Sequence, residues 1–260
     1  MTMGCFVGGF GVATAAFPNV TALSGGLHEP EGSAAALELL PPMVRRRASA
    51  LTRSMADAFG QAMTQAGANP AEVATVFGSA WGETGALREL LQQIAAGEAE
   101  LSPIRFAGSV HNTASGQLSI ATANRGFTTS LAAGDDTVAM ALQEALGLLA
   151  NGLAEVLVVL GDVDPPAELA GPLERCDSLA VALHLHTGQP NRPRLARIED
   201  LHRVTTPWPT EAFPAGLQAS PVFGGLVLVQ AIHAGRTGAV SLGPARGSDW
   251  AIRVHAAVTA

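Results

Sequence analysis

Residues 106–163 read FAGSVHNTASGQLSIATANRGFTTSLAAGDDTVAMALQEALGLLANGLAEVLVVLGDV, and the rest of the chain is ordered around them. Small polar residues lead into a first helical pattern. Gly126, after Arg125, is where a residue free to take positive φ stops that helix cheaply. Phe127–Ala133, rich in β-branched and small residues, then reads as a strand. Gly134, Asp135 and Asp136 make the turn into the next helix, where a carboxylate can cap the free amides. Val138, Leu142, Ala145 and Leu149 recur at helical spacing. After Asn151-Gly152, Val156–Leu160 is the unbroken apolar run of a strand buried on both faces.

A strand, a sharp turn and a helix is how α/β enzymes expose a nucleophile at a helix N-terminus, where the macrodipole favours a thiolate or oxyanion. Here the turn carries carboxylates. The ordered set resembles the N-terminal half of β-ketoacyl synthases, members of the thiolase-like superfamily. That family has a polar segment ending in Asn, a small-residue helix with Gly, and Arg-Gly. A strand into the reactive Cys, a helix and an apolar strand ending in Gly then follow. Asn112, Gly116, Arg125-Gly126 and Gly161 hold those places without gaps. Counted on from Gly126, the Cys position falls on Asp135, or with a one-residue shift on Gly134, and neither can form a thioester.

With 260 residues, 48% hydrophobic and 14% charged, the composition is globular and core-rich. A formal net charge of −7 argues against a nucleic-acid partner, which would need a basic face. Cys5 and Cys176 form neither a disulfide framework nor a metal cluster and suit a reducing compartment. Each reads as a small buried hydrophobe rather than a nucleophile. Met1–Ala16 lacks a basic leader and is interrupted by Gly4, Gly8, Gly9 and Gly11, so it reads as strand and loop, not signal peptide. No apolar run reaches membrane-spanning length, and the expected location is cytoplasmic.

Cys5–Val12 (CFVGGFGV) reads as an opening strand ending in turn glycines, and GGFG lacks the spacing of a dinucleotide fingerprint, so no cofactor is expected. Phe17–Pro42 reads as a surface excursion with a short helix near Ala34–Leu40. Ser49–Gly67 is an amphipathic helix with Leu51, Met55, Phe59, Ala62, Met63 and Ala66 on one face. Arg45-Arg46-Arg47 before it is either a solvated charge run or a docking patch for an acidic acyl carrier protein. Glu72–Ser79 is the next strand. The loop Gly78–Gly82 resembles the family's Gly-rich loop, and Thr84 is expected to cap a helix carrying Leu87, Leu90, Leu91 and Ile94. The resemblance places this helix near a dimer interface, with Arg105 and Phe106 reaching toward the partner's acyl pocket.

Alternation of strands and helices implies an α/β layered domain with a largely parallel sheet. Leu179–His186 supplies another strand, continued over Arg194–Val204. His184 and His186 alternate to one face as two metal ligands would, but with no third ligand at a recognisable spacing they read as surface-facing strand residues, and no metal is expected. The resemblance covers Gly4–His186. The family's second half carries two catalytic histidines, in Asn-Ala-His-Gly-Thr-like and Gly-His-like loops, with a Lys between. Neither loop occurs here, and all 15 basic residues are Arg. After Val204 come a Pro-rich linker (Thr205–Pro221), an apolar segment Val222–Ala234, and two β-like runs, Gly238–Leu242 and Trp250–Ala256. Val222–Ala234 reads equally as a buried helix or as an echo of the family's closing Phe-Gly-Gly loop and strand. The expectation is a single thiolase-like domain: a ketosynthase N-terminal half over residues 1–204 and a strongly reduced C-terminal half over 205–260.

Claisen condensation needs a thiol to carry the acyl chain and imidazoles to assist decarboxylation and stabilise the enolate. The resemblance therefore implies no catalytic residues. It points to a chain-length-factor-like subunit of the short kind found in aryl polyene and type II polyketide systems, paired with a full-length ketosynthase and meeting acyl carrier protein through that complex. Thr128, Thr129, Ser130 and Leu131 would form the pairing strand, and Arg105, Phe106 and Asn112 would lie at the interface and tunnel. The alternative is a small acyl-thioester enzyme or acyl-binding homodimer using Asp135 and Asp136 as acid or base. Helix capping explains those two residues with fewer assumptions.

Overall fold

A computed structural model describes residues 4–14, 38–97, 100–170, 175–204, 213–243 and 249–257. The strands are β1 (Cys5–Thr14), β2 (Ala74–Gly78), β3 (Thr128–Leu131), β4 (Glu155–Asp162), β5 (Leu179–His186), β6 (Ala196–Arg203), β7 (Gly238–Ser241) and β8 (Trp250–Ala256). They form one eight-stranded sheet in the order β3-β2-β4-β5-β1-β6-β8-β7. Only β2 with β3 and β2 with β4 pair in parallel; the remaining pairs are antiparallel. The sheet is thus mixed rather than largely parallel. The chain returns from Asp162 to pair with Leu179 beside it, and antiparallel neighbours need no crossover helix. β6 does not extend β5 but pairs with β1, starting from the Leu195 amide on the Val7 carbonyl at 2.9 Å.

The helices among the described residues are α1 (Pro42–Arg47), α2 (Ala50–Ala66), α3 (Thr84–Ala95), α4 (Pro103–Ala107), α5 (Thr113–Ala121), α6 (Thr137–Ala150), α7 (Ala167–Ala170), α8 (Ala215–Gln218) and α9 (Phe223–His233). Both ends of α2 follow from the sequence. The Ser49 hydroxyl accepts from the Thr52 amide, and Gly67 closes the helix at φ 60°. Its expected apolar face is buried throughout. Two of the β1 glycines, Gly9 and Gly11, serve this helix and not a turn. A Cβ on Gly11 would lie 2.1 Å from the Ala58 carbonyl oxygen, and one on Gly9 2.2 Å from that of Ala62. Backbone therefore packs on backbone.

Alternation along β4 divides the core. Leu157 and Val159 face α2 and α5, while Val156, Val158 and Leu160 face α6 and α9. The result is three layers, helix on sheet on helix, and β4 is buried on both faces as its composition predicts. Val222–Ala234 resolves as the helix α9, with Phe223–Val229 wholly buried. The Leu242 backbone crosses it at Gly224, where a Cβ would stand 1.9 Å from the carbonyl oxygen. The two β-like runs form β7 and β8.

Two local expectations change, and a third falls partly outside the described residues. The helix α5 ends at Ala121, and the positive φ falls on Ala123 (54°), not on Gly126. Asn124 holds that corner instead: its amide donates to the Pro70 and Val73 carbonyls at 2.8 Å each, and its oxygen accepts from Gly126 N at 2.7 Å. Thr84 begins α3 without capping it; Glu83 takes the cap position, with no side-chain cap bond. The helix expected near Ala34–Leu40 lies outside the described residues over 34–37, and 38–40 are not helical. The linker over 205–212 also lies outside them. No helix among the described residues is long and apolar enough to cross a membrane.

Candidate functional site

The parallel strands β2, β3 and β4 point their C-terminal ends to one side, with Gly78 level with Leu131 and with Leu160. The loop after β2, the turn after β3 and the exit of β4 meet there, at the end where α/β sheets gather functional groups. The Ser79 amide donates to the Leu131 carbonyl at 3.2 Å, joining the loop to the turn.

Gly134 takes φ 57°, the left-handed conformation that suits glycine, and residues 134–136 form one turn of 3-10 helix ahead of α6. Of the two carboxylates expected to cap, the one at the cap position does not. Asp136 stands at the cap position without a side-chain cap bond, and the buried Thr137 hydroxyl closes the turn instead. It accepts from the Ala133 amide at 3.1 Å and donates to the Gly134 carbonyl at 2.7 Å. A hydroxyl one residue into the helix reaches both groups, so the carboxylates stay at the half-buried surface. Asp136 lies in the field of Arg203, whose own partner is Asp249.

Neither cysteine belongs to this turn. Cys5 is on β1, and burial pushes its thiol up to about 12, far from a reactive thiolate. Cys176 is buried at the approach to β5, where its amide donates to Asp164.

The strongest polar anchor at this end of the sheet is Asp162, which sequence reasoning missed. It is 1% exposed and accepts from Ser79 Oγ at 2.6 Å, Ala80 N at 3.0 Å and Trp81 N at 3.1 Å. Burial raises its carboxyl to about 6, against the lowering effect of those three donors. The Ser79 hydroxyl accepts from Gly82 N at 2.8 Å, and His111 Nε2 donates to the Ser79 carbonyl at 2.8 Å. Asp162 thereby fixes the loop Gly78–Gly82 and the residue after it, Glu83. Glu83 is 6% exposed, bonded to Ser49 and Thr52 of the α2 N-terminus, and lines a cavity of about 460 Å³. A carboxylate closing an otherwise apolar strand was the signal in the sequence for Asp162.

The residues expected at an interface fall into two groups. Among the described residues Thr128–Leu131 is an edge strand, paired with β2 on one side only, and all four residues are half-buried. Thr128 bonds Thr75, and Ser130 bonds Ser115 of α5. Nearby Phe127 is 45% exposed, and Ile120 on α5 84%. Arg105 and Phe106 lie on α4: Arg105 lines the cavity, while Phe106 is largely exposed. Asn112 precedes α5, exposed, and offers its carbonyl to Ser115 and Gly116 rather than its side chain to the helix. On α3 only Leu90 is buried, so Leu87, Leu91 and Ile94 form an exposed apolar stripe. Of the arginine run, Arg45 is held by both oxygens of Asp57, at 2.7 and 3.0 Å, leaving Arg46 and Arg47 exposed.

His184 and His186 are fully buried, contrary to the surface-facing expectation. β1 covers β5 on one edge and β4 on the other, so no part of β5 meets solvent. His184 bonds Glu155, and His186 Nε2 donates to the Pro193 carbonyl at 2.9 Å while Nδ1 accepts from the Gly188 and Gln189 amides. Both rings bond the protein through Nε2, while His184 Nδ1 is buried without a hydrogen-bond partner among the described residues.

A family model for the N-terminal domain of β-ketoacyl synthases matches residues 8–237. Among solved structures, a chain from the complex of the ketosynthase ApeO with its chain length factor ApeC from Xenorhabdus doucetiae is 22% identical. Its TM-score is 0.69, over 97% of this chain and 99% of that one. A chain of the AntDE:AntF complex, a type II polyketide ketosynthase with its acyl carrier protein, is 12% identical with a TM-score of 0.71, over 99% and 100%. The ishigamide ketosynthase/chain length factor is 14% identical with a TM-score of 0.60, over 90% and 74%. A comparison with curated proteins gave no match.

Proposed function

This chain belongs to the β-ketoacyl synthase family, and from that membership we propose that it is a non-catalytic, chain-length-factor-like partner of a full-length β-ketoacyl-ACP synthase. Its fold is the layered, thiolase-like α/β fold of that family. The observation that carries the proposal is the turn after β3, a left-handed Gly134 and Asp135 closed by the Thr137 hydroxyl with no cysteine in it, and counting on from Gly126 puts the family's reactive Cys at this turn. Without a thiol no acyl-enzyme forms, and the chain's contribution to condensation becomes one of shape.

The open edge of β3 supports the partner. An edge strand with unpaired backbone groups is an aggregation hazard that a closed dimer removes, and Ile120 and Phe127 beside it supply apolar area. The similar ApeO–ApeC and ishigamide structures are themselves complexes of a ketosynthase with a chain length factor. In the assembled pair Phe106 walls the partner's acyl tunnel, and Arg46 and Arg47 face an acidic acyl carrier protein.

Co-expression with a full-length ketosynthase tests this. A one-to-one complex is expected, and Ile120→Asp or Phe127→Asp abolishes it while leaving the circular dichroism of the chain unchanged. Phe106→Ala keeps the complex and lengthens its products. A chain that stays a well-behaved monomer and never co-purifies overturns the proposal. Product lengths indifferent to every substitution from Ile104 to Val110 overturn the tunnel role alone.

A further inference from the structure

The cavity beside Glu83 has the build of a ligand site. Its volume of about 460 Å³ lies within the roughly 300–1,000 Å³ of small-molecule pockets. Leu51, Ile104 and Val163 give it apolar walls, and two of its lining polar residues are buried, Glu83 and Thr113, of which Thr113 spends its hydroxyl on the Ala107 and Val110 carbonyls.

The two hydrogen bonds that Glu83 receives fall on one oxygen: Ser49 Oγ and Thr52 Oγ1 both donate to Oε1, at 2.7 and 3.1 Å. Oε2 receives no hydrogen bond among the described residues and is not sealed from solvent, so it is open to a donor entering the cavity. Burial raises the carboxyl, and the two hydroxyls only partly offset this, so a further donor at Oε2 would relieve the buried charge.

The remaining lining charges restrict what that donor can be. Arg47 and Arg105 stand against Glu83 and Glu89, so the cavity is balanced. An ammonium or carboxylate on the ligand would leave an excess charge in a partly buried space, whereas a neutral donor would not. We propose that the cavity binds the end of an acyl chain bearing a neutral hydroxyl group, with Glu83 Oε2 as the acceptor that reads the hydroxyl. The acyl body of the ligand rests on the function proposed above; the cavity and its acceptor belong to this chain by itself. Asp162 acts as a positioning residue, because the loop it holds delivers Glu83 to the cavity.

The test titrates the full chain by calorimetry with three probes: S-(ω-hydroxyoctanoyl)-, S-octanoyl- and S-(ω-aminooctanoyl)-pantetheine. The hydroxyl probe is expected to bind about tenfold more tightly than the octanoyl probe, the advantage of a hydrogen bond to a charged acceptor. Glu83→Gln narrows that gap to about threefold or less with unchanged circular dichroism. Ile104→Trp, at a position 85% exposed and tolerant of bulk, blocks all three probes. Equal affinity for the hydroxyl and octanoyl probes, tighter binding of the amine, or no binding of any probe overturns the inference. Co-purification with a ketosynthase is scored separately. Probe binding without co-purification overturns the subunit role and keeps the site, and the reverse result overturns the site alone.

Discussion

His184 Nε2 lies 3.0 Å from Glu155 Oε2, and the same oxygen accepts from Arg192 Nε at 2.7 Å. Arg192 also donates to Glu155 Oε1 and to the Gly67 carbonyl, so one loop arginine ties the start of β4 to the C-terminus of α2. Burial drives His184 from 6.5 down to about 4, against the raising effect of Glu155. The folded state holds this ring neutral and binds fewer protons than the unfolded chain. Its stabilising contribution is complete above about pH 6.5 and is lost as pH falls toward 4. At 1.36 kcal/mol per unit this is roughly 3 kcal/mol. Urea midpoints across that range should fall with acid in the wild type and fall much less in His184→Gln.

Asp162 works with the opposite sign. Its carboxyl rises from 3.8 to about 6, so the folded state holds the proton more tightly, and the associated stability is present at low pH and lost as pH rises through about 6. Asp162→Asn should remove that limb. At neutral pH it should also cost about 1–3 kcal/mol, because an amide N–H would face the donors of the Gly78–Gly82 loop. Denaturation at pH 7 and pH 5 separates the two effects.

Gly11→Ala should be among the most damaging single-methyl changes in this chain. The added Cβ meets the Ala58 carbonyl at 2.1 Å, and that obstacle is backbone of a buried helix, not a side chain that can turn away. A loss of about 3 kcal/mol or more is expected by thermal or chemical unfolding. Gly134→Ala meets no atom within 4 Å and should cost only about 1 kcal/mol, from its positive φ.

Thr137→Val keeps the volume at the head of α6 and removes the hydroxyl that closes the turn. About 1–2 kcal/mol should be lost, since the Ala133 amide and Gly134 carbonyl lose their partner. Asp136→Asn, without a cap bond to lose, should change stability by less than about 0.5 kcal/mol.

The elements with strong periodicity and local punctuation were legible from the residues. The helix spanning Ser49–Gly67, its apolar face and the run in β4 all stood where patterns put them, because each is decided within a few residues. What escaped is decided by distant partners. Pairing direction cannot be read from an apolar strand, so β5 and β6 changed the character of the sheet. Alternation correctly put His184 and His186 on one face, but only the place of β5 between β4 and β1 makes that face interior. The glycines of β1 were mistaken for turn residues because the helix that needs them begins some forty residues later in sequence. Glu83 gave no motif and Asp162 only the signal of a carboxylate closing an apolar strand, and their meaning arises where three strand ends meet.

The placement of β1 also bears on how the chain is made. Residues 5–14 emerge early, yet the strands on either side of β1, β5 and β6, begin only at residues 179 and 196. At about 5–20 residues per second, translation leaves this strand without edge partners for roughly 10–30 s. During that interval α2 is the neighbour it can hold, through the glycine contacts at Ala58 and Ala62. Nascent chains halted before residue 179 should therefore be chaperone clients, and the completed sheet should form slowly, because this strand's two partners lie far along the chain.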